Sequence, residues 1–352
     1  MGARAYLDWN ATAPLRPEAR AAMAAACDVV GNPSSVHAEG RAAKALMERS
    51  RARLAEALGA GGADVVFTSG ATEAAALALA GRALRGAGIE HDAVAAWVDD
   101  SLPVDAGGRV TVAEPALSTL QLANSETGVM QALPEGLAVS DLTQAFGKVP
   151  LSFDWLGCGM GIVSAHKLGG PRGVGALVLR RGLDVAAQLR GGGQEMGRRA
   201  GTENLIGIAG FAAAAEAAQR DLADGVWDRV AELRNILVAS LEAAGQETIF
   251  VGNRPEPPGE RLPNTVCLVT PGWKGETQVM QMDLAGFAIS AGSACSSGKL
   301  RESRVLRAMG FGPEAAGSAI RVSLGPATTK DEVLRFSEAW LKARTRFRAR
   351  AA

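Results

Sequence analysis

The lysine at position 167 stands in a setting that suggests covalent chemistry. It follows Ser164, Ala165 and His166 at the end of an apolar run that reads as a strand. A lysine that emerges from a buried strand is desolvated, and its neutral amine can form a Schiff base with an aldehyde. Most lysines considered in isolation are surface residues whose charged end reaches water. Lys167 therefore indicates a reactive amine only in combination with other groups.

A turn between a predicted strand and a predicted helix could hold a phosphate group. It has the sequence TSGATE at positions 68–73. The first N–H groups of a helix are unpaired and its dipole favours an anion, while Thr72 adds a hydroxyl. An ordinary tight turn has the same composition, so this segment is a weak signal by itself.

Asp141 lies where a predicted strand ends, in the segment DLTQ. A carboxylate in that position can keep a pyridine nitrogen protonated, which makes the ring an electron sink. An aspartate that caps a helix N-terminus has the same local sequence and is at least as common. Both interpretations remain open at this point.

Four cysteines are scattered along the chain without a CxxC pair, at positions 27, 158, 267 and 295. This spacing argues against a zinc site or a disulfide framework and favours a reducing compartment. Cys295 lies in the polar segment GSACSSG, which is the setting expected of an exposed, nucleophilic thiol. Cys27, Cys158 and Cys267 are predicted to be small, structural, buried residues.

Bulk composition is that of a soluble globular protein. The 37 basic side chains balance the 37 acidic ones, so no net field attracts nucleic acid or an anionic membrane. An aromatic content of 5% offers few stacking platforms for bases. No apolar run approaches the roughly 18 residues of a membrane span, and residues 1–10 lack the pattern of a signal peptide. We therefore expect a cytoplasmic protein with no direct nucleic-acid or membrane contact.

Alanine-rich helical patterns alternate with short β-branched runs, which predicts an α/β protein with a mainly parallel sheet. A capping box, Thr329 to Glu332, begins the last helix. The Pro/Gly-rich stretch 252–263 indicates a domain boundary or a crossing loop. The predicted helices are 17–30, 36–58, one from 72, 202–222, 226–244 and one from 275. The predicted strands are 64–68, 117–122, 137–140, 161–165, 174–180, 264–270 and one ending at 323.

In this order, the segments resemble the cysteine desulfurases, which are fold-type I pyridoxal-phosphate enzymes related to the class-V aminotransferases. The resemblance extends from Tyr6 to about Ala327 and is carried by YLDWNATAPLRPEA, GNPSSVHAEGR, FTSGATEA, IEHDAV, ANSETGV, DLTQAFGKVP, SAHKLGGPRGVGAL, GGGQEMGRRAGTEN, LPNTV, SAGSACSSG and AIRVSLG. It implies a large domain with a mainly parallel, seven-stranded type of sheet and a smaller α+β domain. Residues 16–250 would form the large cofactor-binding domain. Residues 1–15 and 251–352 would form the small domain with the catalytic cysteine loop.

The resemblance also assigns residues to the cofactor pyridoxal 5'-phosphate. Lys167 would form the Schiff base, Asp141 would pair with the pyridine nitrogen and Gln144 would contact the ring hydroxyl. His91 would stack on the ring and move protons. The phosphate would be held by Ala71, Thr72, Ser164 and His166, with Thr202 supplied by the second subunit of a homodimer.

Further residues are assigned to the substrate, L-cysteine. Arg321, a planar donor suited to carboxylates, and Asn10 would bind it. Cys295 would attack the sulfur, which leaves a persulfide on the enzyme and releases L-alanine. The persulfide would pass to a sulfur-acceptor protein such as an iron–sulfur scaffold. The sequence does not choose among acceptors, because proteins of tRNA thiolation and of cofactor synthesis are also candidates.

The chain departs from the family pattern between positions 81 and 141, where it is shorter. Parallel neighbouring strands need a crossover of about a dozen residues, usually a helix, and the link 124–135 is barely that long. We therefore expect one face of the large sheet to be bare and covered by a partner or an altered dimer. Ser125 and Met196 replace a family asparagine and arginine.

Two alternatives remain open from the sequence. The same fold supports selenocysteine lyases, which the products formed from cysteine and selenocysteine would separate. A catalytically weak subunit that scaffolds an iron–sulfur assembly complex is a candidate from another class. The reactive residues Lys167, Asp141, His91, Cys295 and Arg321 are all present, which argues against the scaffold.

Overall fold

The computed structural model describes residues 4–242, 245, 247–252, 260–292 and 302–351. Its helices are α1 (Pro17–Cys27), α2 (Ala38–Ala57), α3 (Ala71–Leu79), α4 (Asp92–Ala95), α5 (Leu205–Ala223), α6 (Val226–Glu242), α7 (Gly275–Leu284), α8 (Arg304–Ala308), α9 (Pro313–Ala316) and α10 (Lys330–Ala351). Its strands are β1 (Ala5–Tyr6), β2 (Ala63–Thr68), β3 (Arg85–Ala87), β4 (Asp99–Leu102), β5 (Leu137–Asp141), β6 (Cys158–Ser164), β7 (Gly175–Arg180), β8 (Ile249–Val251), β9 (Thr265–Val269), β10 (Phe287–Ala288), β11 (Ser290–Ala291) and β12 (Ala319–Ser323).

The large sheet has seven extended segments side by side. Four strands pair in the order β2-β7-β6-β5, with β7 antiparallel to both neighbours and β5 parallel to β6. The segment 118–122 continues the sheet, because Thr119 bridges Val139 of β5 in parallel and its N–H donates to the carbonyl of Arg85 in β3 (2.8 Å). β4 then pairs with β3 in parallel. The predicted fold class is confirmed, and shortening has not removed a strand.

Both faces of this sheet are covered within the chain. On one face Leu54 of α2 and Phe211 of α5 pack in the same cluster as Phe67 of β2. On the other face Leu77 of α3 packs with Ile162 of β6. The outermost strand, β4, carries exposed polar residues at 99–101, which suit an edge strand. The expected bare face is therefore wrong for the described residues.

The short link before β5 is supported by a distant segment of the chain. Its ends form a small antiparallel bridge, Ala123 with Met130. The N–H of Met130 donates to the carbonyl of Glu260 (3.0 Å), and the N–H of Leu262 donates to that of Gly128 (2.8 Å). Leu262 is fully buried in the core cluster beside the sheet. Residues 260–262 thus pair with this link, which reaches β5 without a helix.

A second core surrounds the smaller antiparallel sheet β11-β12-β9-β8. It is mainly aliphatic and includes several aromatic residues, among them the fully buried Trp273 and Trp340. The N-terminal strand β1 joins this region by pairing with β10. Trp227 of α6 is also buried in this core. The second core thus takes in α6, which precedes the domain boundary predicted at 250.

Local signals in the sequence have mixed outcomes. The capping box of α10 is confirmed: Thr329 N–H donates to Glu332 Oε2 (2.8 Å), and Glu332 N–H donates to Thr329 Oγ1 (3.3 Å). Cys158 and Cys267 are buried, as predicted. The prediction for Cys27 is wrong, because this last residue of α1 is exposed. Among the helices of the described ranges, none combines the length and apolarity needed to cross a bilayer.

Candidate active site

A cavity of about 560 Å³ opens where β5, β6 and the N-terminus of α3 meet. This volume is typical of a small-molecule site. Eight of the predicted site residues line it together: Ala71, Thr72, His91, Asp141, Gln144, Ser164, His166 and Lys167. Thr12, Gln121, Ser125, Thr143 and Arg172 also line it.

The start of α3 forms the end of the cavity suited to an anion. Its cap residue is Gly70, which has no side chain that could accept a hydrogen bond. The first N–H groups of the helix therefore lack a side-chain cap. The turn is held by Glu73, which accepts from the N–H of Ser69 (2.7 Å) and pairs with Arg199 (2.8 Å). Gly175 lets β7 approach, since a Cβ there would lie 2.8 Å from the Gly70 backbone. This cradle fits a phosphate group.

His166 contributes an uncharged donor to the same end. Its Nδ1 lies 3.2 Å from the Thr12 hydroxyl. Burial, with a smaller effect from Lys167, lowers the pKa of His166 to about 4. The imidazole is therefore neutral at physiological pH and carries a single N–H. A neutral donor can form a hydrogen bond to a phosphate oxygen without adding a positive charge.

Lys167 lies on the short turn that follows β6. Its Nζ donates to the carbonyl oxygens of Asn10 (2.7 Å) and Ala11 (3.0 Å). The N-terminal segment is fixed beneath it because the N–H of Ala13 donates to the carbonyl of His166 (2.9 Å). The amine is therefore hydrogen-bonded at the cavity by the carbonyl groups of Asn10 and Ala11.

Asp141 fixes a local turn and also lines the cavity, although no helix begins beside it. Its Oδ1 accepts the N–H of Thr143 (2.9 Å), which is the local turn expected of a capping aspartate. The residue also lines the cavity at the end of β5. One carboxylate oxygen thus fixes the side chain while the group remains at the cavity wall.

His91 begins α4, and its tautomer follows from the cap. Its Nδ1 accepts the N–H of Ala93 (3.1 Å), so the neutral ring carries its proton on Nε2. The preceding Glu90 anchors the segment by accepting the N–H of Gln121 (2.8 Å). Burial raises the pKa of Glu90 to about 8. Glu90 is therefore mostly protonated and uncharged at neutral pH.

Comparison with known proteins decides the family. The class-V aminotransferase profile matches residues 5–95 and 110–336, which is most of the chain. The protein belongs to the class-V aminotransferase family. The interruption at 96–109 lies inside the region where the chain is shorter than the family pattern.

The relatives place the chain among the cysteine desulfurases of that family. It is 40% identical to a cysteine desulfurase of Cereibacter sphaeroides, over 95% of this chain and 94% of the relative. It is 34% identical to the cysteine desulfurase IscS of Dictyoglomus turgidum, over 93% and 91%. The NifS-like protein of Rickettsia africae has a similar structure, with a TM-score of 0.88, 29% identity and coverage of 97% and 99%.

Among the described residues, Asn10, Thr202 and Arg321 were predicted for this class-V site but do not line the cavity. Thr202 is exposed, outside the pocket of its own chain. Arg321 is buried, pairs with Asp8 (2.8 Å) and donates to the carbonyl of Ser125 (3.1 Å). Its buried Nε has no hydrogen-bond partner, which leaves a donor for a further acceptor. Cys295 lies outside the described residues.

Asn10 occupies a different position from the one predicted. Its side chain is fully buried, and its Oδ1 accepts from Lys148 (3.0 Å) and Asn264 (3.0 Å). Its Nδ2 donates to Thr265 Oγ1 (2.8 Å) and the carbonyl of Ser125 (3.1 Å). Both side-chain atoms are committed, so direct substrate binding by Asn10 does not fit this arrangement. Asn10 instead links Lys148 to Asn264 and Thr265 of the second core.

Sequence reasoning missed Lys148, Thr12 and Arg172. Lys148 is buried behind Gln144, whereas Thr12 and Arg172 line the cavity directly. Each lies within a segment that carried the family resemblance, so the segments were identified without these individual residues. The described buried cysteines are poor nucleophiles, because burial raises the pKa of Cys158 to about 11 and of Cys267 to about 12.

Proposed function

We propose that the protein is a pyridoxal-phosphate-dependent cysteine desulfurase that forms a persulfide on Cys295. The observation that carries this proposal is one cavity in which an amine, a carboxylate and a phosphate-type helix start converge. Lys167, Asp141 and the N-terminus of α3 supply these three groups. The similarity to named cysteine desulfurases supports the choice of L-cysteine as substrate.

The residues present fit the cofactor at each of its polar groups. Ala71, Thr72, Ser164 and His166 would hold the phosphate, and Lys167 would bind the aldehyde carbon. Asp141 would keep the pyridine nitrogen protonated. When bound, the cofactor supplies an electron sink for the bonds broken in the substrate.

The chain's own residues would carry out the remaining tasks. His91 would transfer protons through Nε2, the nitrogen that the helix cap leaves protonated. Arg321 would bind the substrate carboxylate, for which its buried Nε still has no partner. Cys295, as thiolate, would take the sulfur.

The overall reaction balances without an external oxidant. The bond from the substrate's β-carbon to sulfur breaks, and a sulfur–sulfur bond forms on Cys295. The β-carbon gains a proton, so L-cysteine and the enzyme thiol become L-alanine and the enzyme persulfide. That sulfur would then pass to an acceptor protein such as an iron–sulfur scaffold.

The decisive experiment measures alanine and persulfide from L-cysteine with the purified, cofactor-loaded protein. Cys295→Ala should abolish the persulfide, and Lys167→Ala should abolish both products together with the visible cofactor band. Cys27→Ser is the matched control, because Cys27 is exposed and lies on α1 away from the cavity. Persulfide formation by Cys295→Ala at the wild-type level would contradict the assignment.

The same assay separates the alternative functions. A selenocysteine lyase would release alanine from selenocysteine much faster than from cysteine. A scaffold subunit would release alanine from neither substrate, although it would bind its assembly partners.

A further inference from the structure

Lys148 is a buried lysine behind the wall of the active-site cavity. It is 2% exposed, and its Nζ donates to Gln144 Oε1 (2.5 Å) and Asn10 Oδ1 (3.0 Å). No ion pair joins it to a carboxylate among the described residues; the nearby charges are the cations Lys167 and Arg321. Burial lowers the pKa of Lys148 well below its usual range. Placing an ammonium group here is unfavourable for folding, which calls for a local reason.

The contacts of Gln144 supply that reason. A lysine amine donates and an unprotonated carbonyl only accepts, so each identifies the amide atom that faces it. Lys148 faces Oε1, while the carbonyl of Asn10 accepts from Nε2 (3.0 Å). The amide orientation is therefore fixed from both sides. One hydrogen on Nε2 remains uncommitted, on a side chain that lines the cavity.

We infer that Lys148 is a positioning residue that makes Gln144 present a hydrogen-bond donor to an anionic oxygen of the bound cofactor. This inference rests on the proposed function, since it takes the ring oxygen of pyridoxal phosphate as the acceptor. Donation from Lys148 to Oε1 also polarises the amide, which strengthens the N–H on its other side. Lys148 thus acts on the cofactor through Gln144 and does not need to touch it.

The competing explanation is that Lys148 only ties the two cores together through Asn10. Asn264 serves that purpose independently, because its Nδ2 donates to Asn10 Oδ1 (3.0 Å) and to the carbonyl of Leu324 (2.9 Å). Asn264 makes no contact with Gln144 among its described hydrogen bonds. Asn264→Ala is therefore the matched control for loss of the hydrogen-bonded link between the two cores.

The test is the pH titration of the visible absorption band of the cofactor-loaded protein. Lys148→Met removes the donor, so negative charge on the cofactor becomes less favourable and the midpoint should rise by about 0.5 to 1 pH unit. Cofactor affinity, measured by equilibrium dialysis, should fall by up to about tenfold. Lys148→Arg keeps a donor and should restore most of the midpoint. If the methionine variant does not fold, Lys148→Leu, which also lacks a donor, gives the same comparison.

A Gln144→Leu background shows whether the effect passes through the amide. There, the additional change at Lys148 should leave the midpoint unmoved. An equal shift in both backgrounds would mean direct action of the lysine charge and would overturn the inference, as would an equal shift from Asn264→Ala. A wild-type protein without any visible band would refute the proposed function itself. A wild type that forms alanine and shares its midpoint with Lys148→Met would refute only the role of Lys148.

Discussion

At the scale of single residues, burial shifts ionisable groups in and around the site toward their uncharged forms. Glu90 and His166 both have pKa values displaced toward the neutral form, to about 8 and about 4. Burial also raises the pKa of the Glu126 carboxyl to about 7. Neutral side chains can hold the walls in position without adding charge beside Lys167 and Asp141.

Glu90→Gln should flatten the dependence of stability on pH. The pKa of Glu90 is raised from 4.5 to about 8, so the folded protein retains a proton that the unfolded chain releases. This contribution to stability is complete below pH 4.5 and is lost as pH rises toward 8. Glutamine keeps the shape without the titration, which removes a slope of up to about 1.4 kcal/mol per pH unit in that window. Urea unfolding at pH 5.5, 6.5, 7.5 and 8.5 measures it.

Glu126→Gln is the control for that experiment, because the Glu126 carboxyl titrates over the narrower range from 4.5 to about 7. The slopes of unfolding free energy against pH should therefore differ most between the two variants from pH 7 to pH 8. Parallel profiles for wild type and Glu90→Gln would show that Glu90 is already ionised in the folded protein.

Asp141→Asn should distinguish the role of Asp141 in its local turn from its role in the reaction. Asparagine can still accept the N–H of Thr143, so folding and cofactor content should stay near wild type. It cannot keep a pyridine nitrogen protonated, and we expect alanine formation to fall by about 10² to 10⁴-fold. Steady-state rates and the cofactor content of the same samples provide both readouts. A variant that loses its cofactor but keeps its rate per bound cofactor would favour the purely structural reading.

At the scale of elements, long segments with a periodic pattern could be predicted from the sequence. Short segments that depend on pairing with other parts of the chain could not. The helix expected at 36–58 spans Ala38–Ala57, and the strand expected at 174–180 spans Gly175–Arg180. β3 and β4 contain only a few residues and exist through their pairing with each other, a feature that no local pattern encodes. Residues 260–262 likewise cover the link before β5 through contacts distant in sequence.

The residues of the candidate site also divide into those that could be predicted from the sequence and those that could not. Motif residues that follow a strand, such as Asp141 and Lys167, could be predicted because strand ends converge at one edge of a sheet. Lys148 and Asn10 could not be placed, because their burial depends on the way in which the N-terminal segment crosses to the second core. A lone lysine in a turn has no periodic signal that would reveal this environment.

Thr329→Ala should destabilise the protein through the start of α10. The Thr329 hydroxyl and the Glu332 carboxylate satisfy each other's backbone N–H groups, and loss of such a cap costs about 1 kcal/mol. Thr345→Ala, on an exposed turn of the same helix, is the matched control and should be neutral or slightly stabilising because alanine favours helix. Urea midpoints of the two variants give the comparison. Equal effects would mean that the cap contributes nothing beyond helix propensity.

At the scale of the whole molecule, two cores meet around one buried polar network. Asn10 is bonded to Lys148 on the side of the large sheet and to Asn264 and Thr265 on the side of the small sheet. Arg321 reaches from β12 to Ser125 and Asp8 in the same region. The N-terminal segment is therefore hydrogen-bonded both to Lys167 and to the second core.

The exposed position of Thr202 leads to a prediction about the assembly. If its hydroxyl completes the phosphate site of a second subunit, the protein is a homodimer in solution, and Thr202→Val should weaken cofactor binding several-fold without changing the dimer. Light scattering and equilibrium dialysis measure these two properties. A hybrid dimer of one Thr202→Val subunit and one Lys167→Ala subunit should then contain one fully normal site, because Lys167 from the first subunit meets Thr202 from the second. Recovery of wild-type affinity at half of the sites supports action between subunits, whereas a hybrid that binds cofactor no better than the Thr202→Val homodimer would assign Thr202 to its own chain.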